Sequence, residues 1–358
     1  MTHKSAAVFM MNRNAYLIVG LLLSNVISYA QTKRIRDHDT TYYVSYREKL
    51  TVRTYLSRKY TAFKLKPPED NPAPEMKYLP NTTLNVGIGA TFRSLTLNIG
   101  VGVSTFNPNN ERGHTKYLDL QTHWYTRTWN FDILGQFYRG YYLTPQGLGS
   151  EDGKSYYVRS DLKLGMGGIA AYSALNGRKF SYQAGLVQNE WQKKSAGSIL
   201  VGGEAYYGSV HGDSSVVPAT IDSSYSRMNI AKIHFFEIGP GIGYAYTFVF
   251  KEHYFILGSV TVNLDLSYTR EKATDHYADK FILSPNFIFR AGAGYNTAKW
   301  NLSILWVATY IHFAGEATDY KYRISTGNYR LFYARRFSIN KKVKNVLEPI
   351  NNLVEPSN

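Results

Sequence analysis

The stretch Tyr254–Thr269 reads Tyr-Phe-Ile-Leu-Gly-Ser-Val-Thr-Val-Asn-Leu-Asp-Leu-Ser-Tyr-Thr and alternates between apolar and polar residues. From Ile256 to Tyr268, every second residue is apolar or glycine, and the residues between them are polar from Ser259 onward. Successive side chains of a β-strand point to opposite faces, so this period of two predicts a strand with one apolar and one polar face.

Alternating segments of this kind recur along the whole chain. The candidate strands are 50–66, 83–93, 95–103, 116–127, 129–142, 157–174, 178–193, 196–210, 234–250, 253–270, 281–297, 299–313 and 326–338. Short connections, as at Asn176-Gly177-Arg178, and long polar ones, as at 143–156, separate them. The pattern predicts an all-β fold, a transmembrane antiparallel up-and-down β-barrel of about 12 strands, within a range of about 10 to 14.

The strand count contains an inconsistency between residues 193 and 233. Single-chain bacterial barrels have an even number of strands, whereas the candidate list is odd, and the order of short and long connections slips in this region. One element there, or the first strand, is therefore misassigned. The segment 211–233 is long and lacks a strand pattern, which indicates either a function or a missed element.

The N-terminus has the pattern of an export signal. Lys4 and Arg13 precede an apolar run from 15 to 27, and Ser28-Tyr29-Ala30 offers small residues at the cleavage positions. The run is too short to span a membrane comfortably as an anchor, the alternative interpretation. We predict a signal peptide at 1–30, a periplasmic lead-in at 31–48, the barrel at 49–338 and a C-terminal tail at 339–358, either frayed or a short amphipathic helix.

Composition narrows the class of protein further. The 358 residues include no cysteine and carry a net charge of +15. Mean hydropathy is −0.31, which argues against a helical membrane protein but not against a barrel, where only every second residue faces lipid. An exported chain rarely meets nucleic acid, so the basic excess favours outer-membrane lipid or lipopolysaccharide as the partner; basic loops that keep the chain soluble are the alternative. The expected location is the cell outer membrane.

The sequence offers no motif for a cofactor, a metal or a catalytic site. It has no zinc-binding pattern and no P-loop, and Gly239-Pro240-Gly241-Ile242-Gly243 lies inside an alternating strand rather than before a helix. A hydrolase would need a nucleophile near a base, and nothing pairs His123 with Ser160 or Ser303. We therefore expect no enzyme activity and no cofactor.

Charged residues on the predicted inner face form the candidate site. They are of both signs, with more acidic than basic members: Arg93, Asp119, Asp132, Asp161, Lys163, Glu204, Glu237, Asp265 and Arg290. Such charges either pair with each other and stiffen a plugged barrel, or line a narrow pore and set its selectivity. The near balance of signs favours pairing.

Several short motifs carry a resemblance to a known family. They are Thr41-Tyr42-Tyr43-Val44-Ser45-Tyr46-Arg47-Glu48-Lys49-Leu50-Thr51-Val52-Arg53, Tyr78-Leu79-Pro80-Asn81, Gln192-Lys193-Lys194-Ser195-Ala196-Gly197-Ser198 and Gly239-Pro240-Gly241-Ile242-Gly243-Tyr244. In these the chain resembles a family of exported Bacteroidota proteins known only as a domain of unknown function. The resemblance implies an outer-membrane, barrel-like fold over nearly all of the mature chain, and no catalytic residues.

The expected function is non-enzymatic and porin-like in architecture: a narrow channel, or a structural and binding platform with long external loops. Two alternatives remain. A membrane-embedded lipid hydrolase or acyltransferase requires a catalytic pair near one end of the barrel. A soluble exported lipid-binding barrel requires the reverse arrangement of faces, with an apolar lumen and a polar outer surface.

Overall fold

A computed structural model describes residues 38–93, 95–103 and 110–340. Fifteen strands run along this part of the chain: β1 Tyr43–Ser45, β2 Lys49–Lys66, β3 Met76–Leu79, β4 Asn85–Phe92, β5 Leu95–Gly102, β6 Lys116–Tyr125, β7 Trp129–Thr144, β8 Val158–Ala174, β9 Glu190–Gln192, β10 Ala196–His211, β11 Lys232–Phe250, β12 Tyr254–Lys272, β13 Tyr277–Asn296, β14 Trp300–Ala314 and β15 Lys321–Ser338. Two short helices, α1 (Tyr182–Leu186) and α2 (Ser223–Met228), and a 3₁₀ turn (Asn110–Arg112) complete the elements. None of the helices in these ranges is long and apolar enough to cross a membrane.

The strands close into an antiparallel barrel. In the described residues a ring of ten runs β2, β15, β14, β13, β12, β11, β10, β8, β7, β3 and back to β2. The first and last long strands pair over their whole lengths, from Lys49 opposite Ser338 to Lys66 opposite Lys321. The predicted all-β antiparallel barrel is confirmed.

The short strand β3 closes the ring at one height only. It pairs with Phe63, Lys64 and Leu65 of β2 on one side and with the end of β7 on the other. Farther along, β2 pairs with β4 and β4 with β5, while β6 pairs with β7. The wall beside β3 therefore divides into a β4–β5 flap and the strand β6.

The outer face of the barrel is apolar and the middle of its interior is polar. Along β12, Ile256, Val262 and Leu264 are exposed, whereas Asn263 and Asp265 between and beside them are almost fully buried. This is the assignment of faces that the alternation predicts. The soluble lipid-binding barrel required the opposite arrangement, so that alternative is wrong.

The predicted strand at 178–193 is wrong. This segment forms α1 and the short strand β9, and β9 pairs with β1 outside the main sheet. Every residue of α1 is buried, so the segment has no lipid-facing side. The apolar residues alternate here as they would in a strand: Phe180, Tyr182, Ala184 and Leu186. Ser181 nevertheless caps a helix, because its side chain accepts a hydrogen bond from the Ala184 amide. Removing this strand resolves the slip in the connections.

Chain segments fold into both ends of the barrel. At the end with short turns, such as 251–253 and 297–299, residues 180–192 lie inside the strands; we call them the inner plug. At the other end, residues 212–231 with α2 pack over the interior; we call them the loop lid. Two buried clusters follow from this arrangement. One surrounds the lid and includes Phe63, Tyr78 and Phe235, and the other surrounds the plug and includes Tyr125, Phe180 and Leu257.

The predicted signal peptide lies outside the described residues, as do the first part of the predicted lead-in and residues 341–358 of the predicted tail. Within the described part of the lead-in, residues 43–45 form β1.

Candidate functional site in the barrel interior

The inner plug is bound to strands from several parts of the barrel. The hydroxyl groups of Tyr182 and Ser259 lie 2.5 Å apart, joining α1 to β12. Gln183 Nε2 donates to the carbonyl of Tyr125 at the end of β6, at 2.9 Å. Asn296 Nδ2 donates to a plug carbonyl, that of Glu190, at 3.0 Å. Because buried polar groups are costly to leave without partners, these contacts hold the plug in one position.

Arg336 on β15 is the main polar contact between plug and wall. Its guanidinium donates to the carbonyl oxygens of Gln188 and Glu190 in the plug, and to Asn296 Oδ1 and the carbonyl of Thr297 in the adjacent turn. The residue is 6% exposed. A planar guanidinium with five donors suits this set of acceptors, which a lysine could not satisfy.

The loop lid is fixed at the opposite end by Asp222. Its carboxylate caps α2, accepting hydrogen bonds from the Ser224 and Tyr225 amides, and also from Asn71 Nδ2 at 2.7 Å and the Tyr320 hydroxyl at 2.8 Å. Burial raises the pKa of this carboxyl, but the hydrogen bonds from Ser224 and Asn71 outweigh it and hold the pKa well below its usual range. Asp222 thus joins the lid to two other loops.

A second lid contact involves Tyr78 of β3. Its hydroxyl donates to the carbonyl of Val216 at 2.6 Å, and both residues are fully buried. The lid also begins at a fixed point, because Asp161 accepts a hydrogen bond from the Asp213 amide at 2.8 Å.

An ion pair crosses the middle of the barrel. Asp132 on β7 accepts from Arg290 on β13, and the two strands are not neighbours in the sheet. Asp132 also contacts His123 Nδ1 at 2.6 Å and the Tyr125 hydroxyl at 3.1 Å. The guanidinium of Arg290 lies over the ring of Tyr182, so the ion pair also contacts the plug.

Asp119 on β6 forms the other interior pair. Lys59 Nζ lies 3.3 Å from its Oδ1, while Gln136 Nε2 and the Tyr138 hydroxyl donate to Oδ2 at 3.1 and 2.6 Å. The Asp119 side chain is 1% exposed. Every oxygen of this buried carboxylate is therefore satisfied.

Three further acids, Glu204, Glu237 and Asp265, face the interior from the adjacent strands β10, β11 and β12. Uncharged groups donate to them: the Tyr206 hydroxyl to Glu204 at 3.2 Å, Ser267 to Glu237 at 2.5 Å and Asn286 to Asp265 at 2.9 Å. Among the described residues no cation forms an ion pair with any of the three. Gly239 on β11 lies between Glu204 on β10 and Asp265 on β12. It pairs with Glu204, and a Cβ at Gly239 would collide with Asp265, so only a glycine separates the carboxyl groups of Glu204 and Asp265.

The structure brings most of the predicted interior residues together. Asp119, Asp132, Glu204, Glu237, Asp265 and Arg290 all lie in the barrel interior. Asp161 lies at the lid end, paired with Arg159 at 2.7 Å. Arg93 lies in the β4–β5 turn at the plug end, 3.3 Å from Glu48, rather than in the lumen.

Lys163 is exposed on the outer face, contrary to the prediction. The reason is a register shift in the β7–β8 ladder, where Arg139 pairs with Lys163 but Tyr141 pairs with Arg159. Gly140, at φ +92°, occupies the irregularity. A bulge of this kind reverses which alternate residues face inward, and it has no signal in the alternation itself.

The basic side of the interior was not predicted from the sequence. Arg53 and Lys59 on β2, and Arg330 and Arg336 on β15, point inward. β2 alternates weakly, so its inner face was not assigned from the pattern. The burial of Arg53, which is 2% exposed, follows from pairing β2 with β15 and from the plug behind it.

A cavity of about 280 Å³ lies beside the plug in the barrel interior. Its lining comes from β2, β5, β6, β14, β15 and the plug, and includes Arg53, Lys59, Asn98, Asp119, His123 and Arg330. Leu97 and Leu120, which belong to the exposed outer face, also border it. The cavity therefore extends from the polar interior to the apolar outer surface, between β5 and β6.

No group of three or more histidine and carboxylate side chains within the described ranges is arranged to hold a metal ion. Catalytic chemistry lacks an evident nucleophile as well. His123 lines the cavity and pairs with Asp132, but no hydrogen bond joins its ring to a serine or threonine hydroxyl in the described part of the chain.

Comparison with protein families gives one assignment. The family model described as "Domain of unknown function (DUF4421)" matches residues 37–337, most of the chain. This chain belongs to the DUF4421 family. A comparison with curated proteins found no match.

Solved structures similar to this DUF4421 protein are outer-membrane proteins with very different sequences. The outer membrane protease OmpT of Escherichia coli is 8% identical, with 82% of this chain and 98% of that chain covered and a TM-score of 0.41. The translocator domain of the autotransporter NalP of Neisseria meningitidis is 9% identical, with coverages of 90% and 96% and a TM-score of 0.31. The toluene transporter TodX of P. putida is 8% identical, with coverages of 82% and 91% and a TM-score of 0.23. None of these activities transfers to this chain.

The location of this DUF4421 protein follows from its own structure. Antiparallel pairing around the ring satisfies most backbone groups of the barrel wall, and an apolar outer band suits hydrocarbon. Barrels of this kind belong to bacterial outer membranes, and the protein is an outer-membrane β-barrel of the cell.

Proposed function

We propose that this protein is a non-conducting, non-enzymatic binding platform of the outer membrane. The observation that carries the proposal is that both ends of the barrel are filled, by the inner plug at one end and the loop lid at the other. Both segments are held firmly. Arg336 donates hydrogen bonds to several acceptors of the plug and the adjacent turn, and Asp222 of the lid accepts hydrogen bonds from two other loops. A narrow channel, the other form of the expected function, would need one of these segments to move.

The interior charges support the same conclusion. The pair Asp132–Arg290 joins opposite strands of the ring across the lumen, and Lys59 pairs with Asp119 between β2 and β6 on one side of the interior. An ion pair that crosses the lumen stiffens a barrel and hinders ion passage along its axis.

Planar-bilayer recording tests this proposal. The purified, detergent-folded protein should insert without stepwise conductance. In one variant, a short glycine–serine turn replaces residues 181–192 of the plug. This variant should conduct ions when the loop lid is displaced. Arg336→Ala, which loosens the plug, should give brief conductance events. Steady conductance of the unmodified protein would overturn the proposal.

A membrane-embedded hydrolase or acyltransferase is the second candidate, and one observation favours it. His123 is oriented by Asp132 at 2.6 Å and borders the cavity, as a general base would be. Hydrolysis of fluorogenic acyl esters that is lost in His123→Asn and kept in His253→Asn would support this candidate over the binding platform.

We further infer that the short-turn end, with the plug, faces the periplasm and the lid faces outward, because outer-membrane barrels have short periplasmic turns. Anionic outer-membrane lipid or lipopolysaccharide remains the proposed partner. The cleaved signal peptide and the Bacteroidota origin stay predictions.

A further inference from the structure

The barrel wall has a seam between β5 and β6. β5 pairs only with β4, and β6 only with β7, so these two strands form no ladder with each other in the described residues. At the top of the seam, polar contacts join its two sides: Asn81 Nδ2 donates to the Gly113 carbonyl at 2.7 Å, and the hydroxyl groups of Thr83 and Tyr117 lie 3.3 Å apart. Below these contacts the cavity reaches the seam.

The seam lies at the height of the apolar outer band. Leu97, Ile99 and Val101 of β5 and Leu118 and Leu120 of β6 are all exposed, at 54–68% of their surface. Unpaired strand edges are costly in hydrocarbon, because their amide and carbonyl groups lack partners there. A molecule with a polar and an apolar part would therefore bind well at the seam, because its polar part could contact these backbone groups while its apolar part stays in the lipid.

The cavity behind the seam is positively charged. Its described lining carries Arg53, Lys59 and Arg330 against the single carboxylate of Asp119, and Lys59 already pairs with that carboxylate. Neither Arg53 nor Arg330 forms an ion pair within the described residues.

The two arginines are held in place by neutral acceptors. Arg53 donates to the Val187 carbonyl at 2.8 Å and to Thr91, and its Nε is buried without a partner. Arg330 donates through Nε to Asn328 Oδ1 at 2.7 Å. Arg53 is almost fully buried and Arg330 partly buried, and the carboxylates that act on Arg330, Asp119 and Asp132, already pair with Lys59 and Arg290. An excess of buried positive charge is unfavourable, so this cavity favours an anion.

We propose that the cavity binds the phosphate headgroup of an anionic membrane lipid, which enters sideways through the β5–β6 seam. Arginine binds phosphate oxygens in a planar, two-donor geometry, and the lipid chains would lie along Leu97 and Leu120 on the outer surface. This inference deepens the proposed function and rests on it, because in a barrel open at its ends the anion would also have an aqueous route.

Calorimetric titration of the detergent-folded protein tests the proposal, with dihexanoyl phosphatidic acid as the probe. The double variant Arg53→Gln/Arg330→Gln should weaken binding about tenfold or more. The matched control is Arg58→Gln/Arg335→Gln, which removes two exposed, outward-facing arginines from the same two strands and should leave binding within about twofold. Arg330→Gln alone provides a second variant in case the double variant does not fold.

Three further probes identify the bound anion and its route of entry. Dihexanoyl phosphatidylcholine, whose headgroup has no net charge, should bind much more weakly. Inorganic phosphate should compete poorly, because it lacks the apolar part that the seam accepts. A phosphatidic acid with a photoactivatable diazirine in its acyl chain should label peptides of β5 and β6 in preference to those of β11 and β12.

Equal weakening by the inner and outer arginine variants would overturn the proposal, since it would indicate attraction to the surface charge alone. Inorganic phosphate binding as tightly as the lipid would also overturn it, in favour of a free anion. The proposed function fails separately, by conductance of the unmodified protein, and that measurement does not depend on lipid binding.

Discussion

The hydroxyl of Tyr182 lies 2.5 Å from that of Ser259, so the helix of the inner plug is hydrogen-bonded to the wall of the barrel at β12. Tyr182 also stacks on Tyr125 and contacts Arg290. One plug side chain thus connects the plug with β6, β12 and β13. The plug and the interior ion pairs form one continuous structure, and changes in either should affect both.

Replacing Arg336 should loosen the plug. Arg336→Ala leaves the carbonyl groups of Gln188 and Thr297 without their side-chain donor, and we expect a loss of about 3 kcal/mol in the free energy of unfolding. Urea unfolding in micelles, followed by tryptophan fluorescence, measures this loss. The neighbouring Arg335→Ala, on the exposed face, should change stability by less than about 0.5 kcal/mol. Equal effects of the two variants would contradict the role assigned to Arg336.

The stability lost on replacing an interior carboxylate should depend on the side chains that bind it. Asp132→Asn removes the charge that neutralises Arg290 and should cost about 3–5 kcal/mol. Asp265→Asn, equally interior but bound by the neutral side chain of Asn286, should cost less than about 1 kcal/mol. Both losses can be measured by equilibrating each variant over a series of urea concentrations. The fraction that still migrates as folded protein is then read from unheated SDS gels. A larger loss for Asp265→Asn than for Asp132→Asn would refute this distinction.

The loop lid should weaken in acid. Because the folded-state pKa of Asp222 is lowered, its contribution to stability is fully present above the unfolded value of about 4 and is lost as the pH falls below it. Asp222→Ala should therefore destabilise the lid at neutral pH by about 1 kcal/mol and make it less sensitive to acid. Limited proteolysis of 212–231 between pH 7 and pH 3 measures the change.

Asp213→Asn, an exposed carboxylate in the same segment, serves as the control for Asp222. It should leave the pH profile of lid cleavage unchanged. A profile that shifts as much in this control would mean that the acid sensitivity has another origin.

We expect β11 to require a glycine at position 239, where the backbone and a side chain of β12 lie against it. A methyl group at Gly239 would collide with the Leu264 carbonyl and with Asp265, so Gly239→Ala should cost about 1–3 kcal/mol. Gly258→Ala is the matched control, since a Cβ there meets nothing within 4 Å. It should be neutral or slightly stabilising, by about 0.5 kcal/mol. Thermal unfolding of both variants in micelles measures the difference.

The alternation of residues was sufficient to predict the barrel, its faces and most strand positions, because lipid outside and polar contacts inside select different residues at every second position. Val262 and Asn263 illustrate this, since one is exposed and the other buried. The pattern could not identify the plug. Phe180, Tyr182, Ala184 and Leu186 alternate as a strand would, and only their burial on all sides distinguishes them.

The candidate site was predictable only in part for a related reason. Alternation assigns an inward face but does not give partners, so it could not show that Arg290 reaches Asp132 across the barrel. It also fails at irregularities, as at Lys163 beyond the bulge in β7 and β8. The cationic cavity depends on β2 and β15 lying side by side, which joins residues almost three hundred positions apart, such as Arg53 opposite Ala334.

The position of the inner plug in the chain constrains the order of assembly. The plug follows β8, and its contacts reach back to β2 through Arg53 and forward to β12, β13 and β15 through Ser259, Asn296 and Arg336. Most of these contacts are with strands that follow the plug in the chain. We therefore expect the later strands to wrap around the plug and the pairing of β15 with β2 to close the barrel around it. A chain that stops before β15 would be left as an open sheet around its own plug.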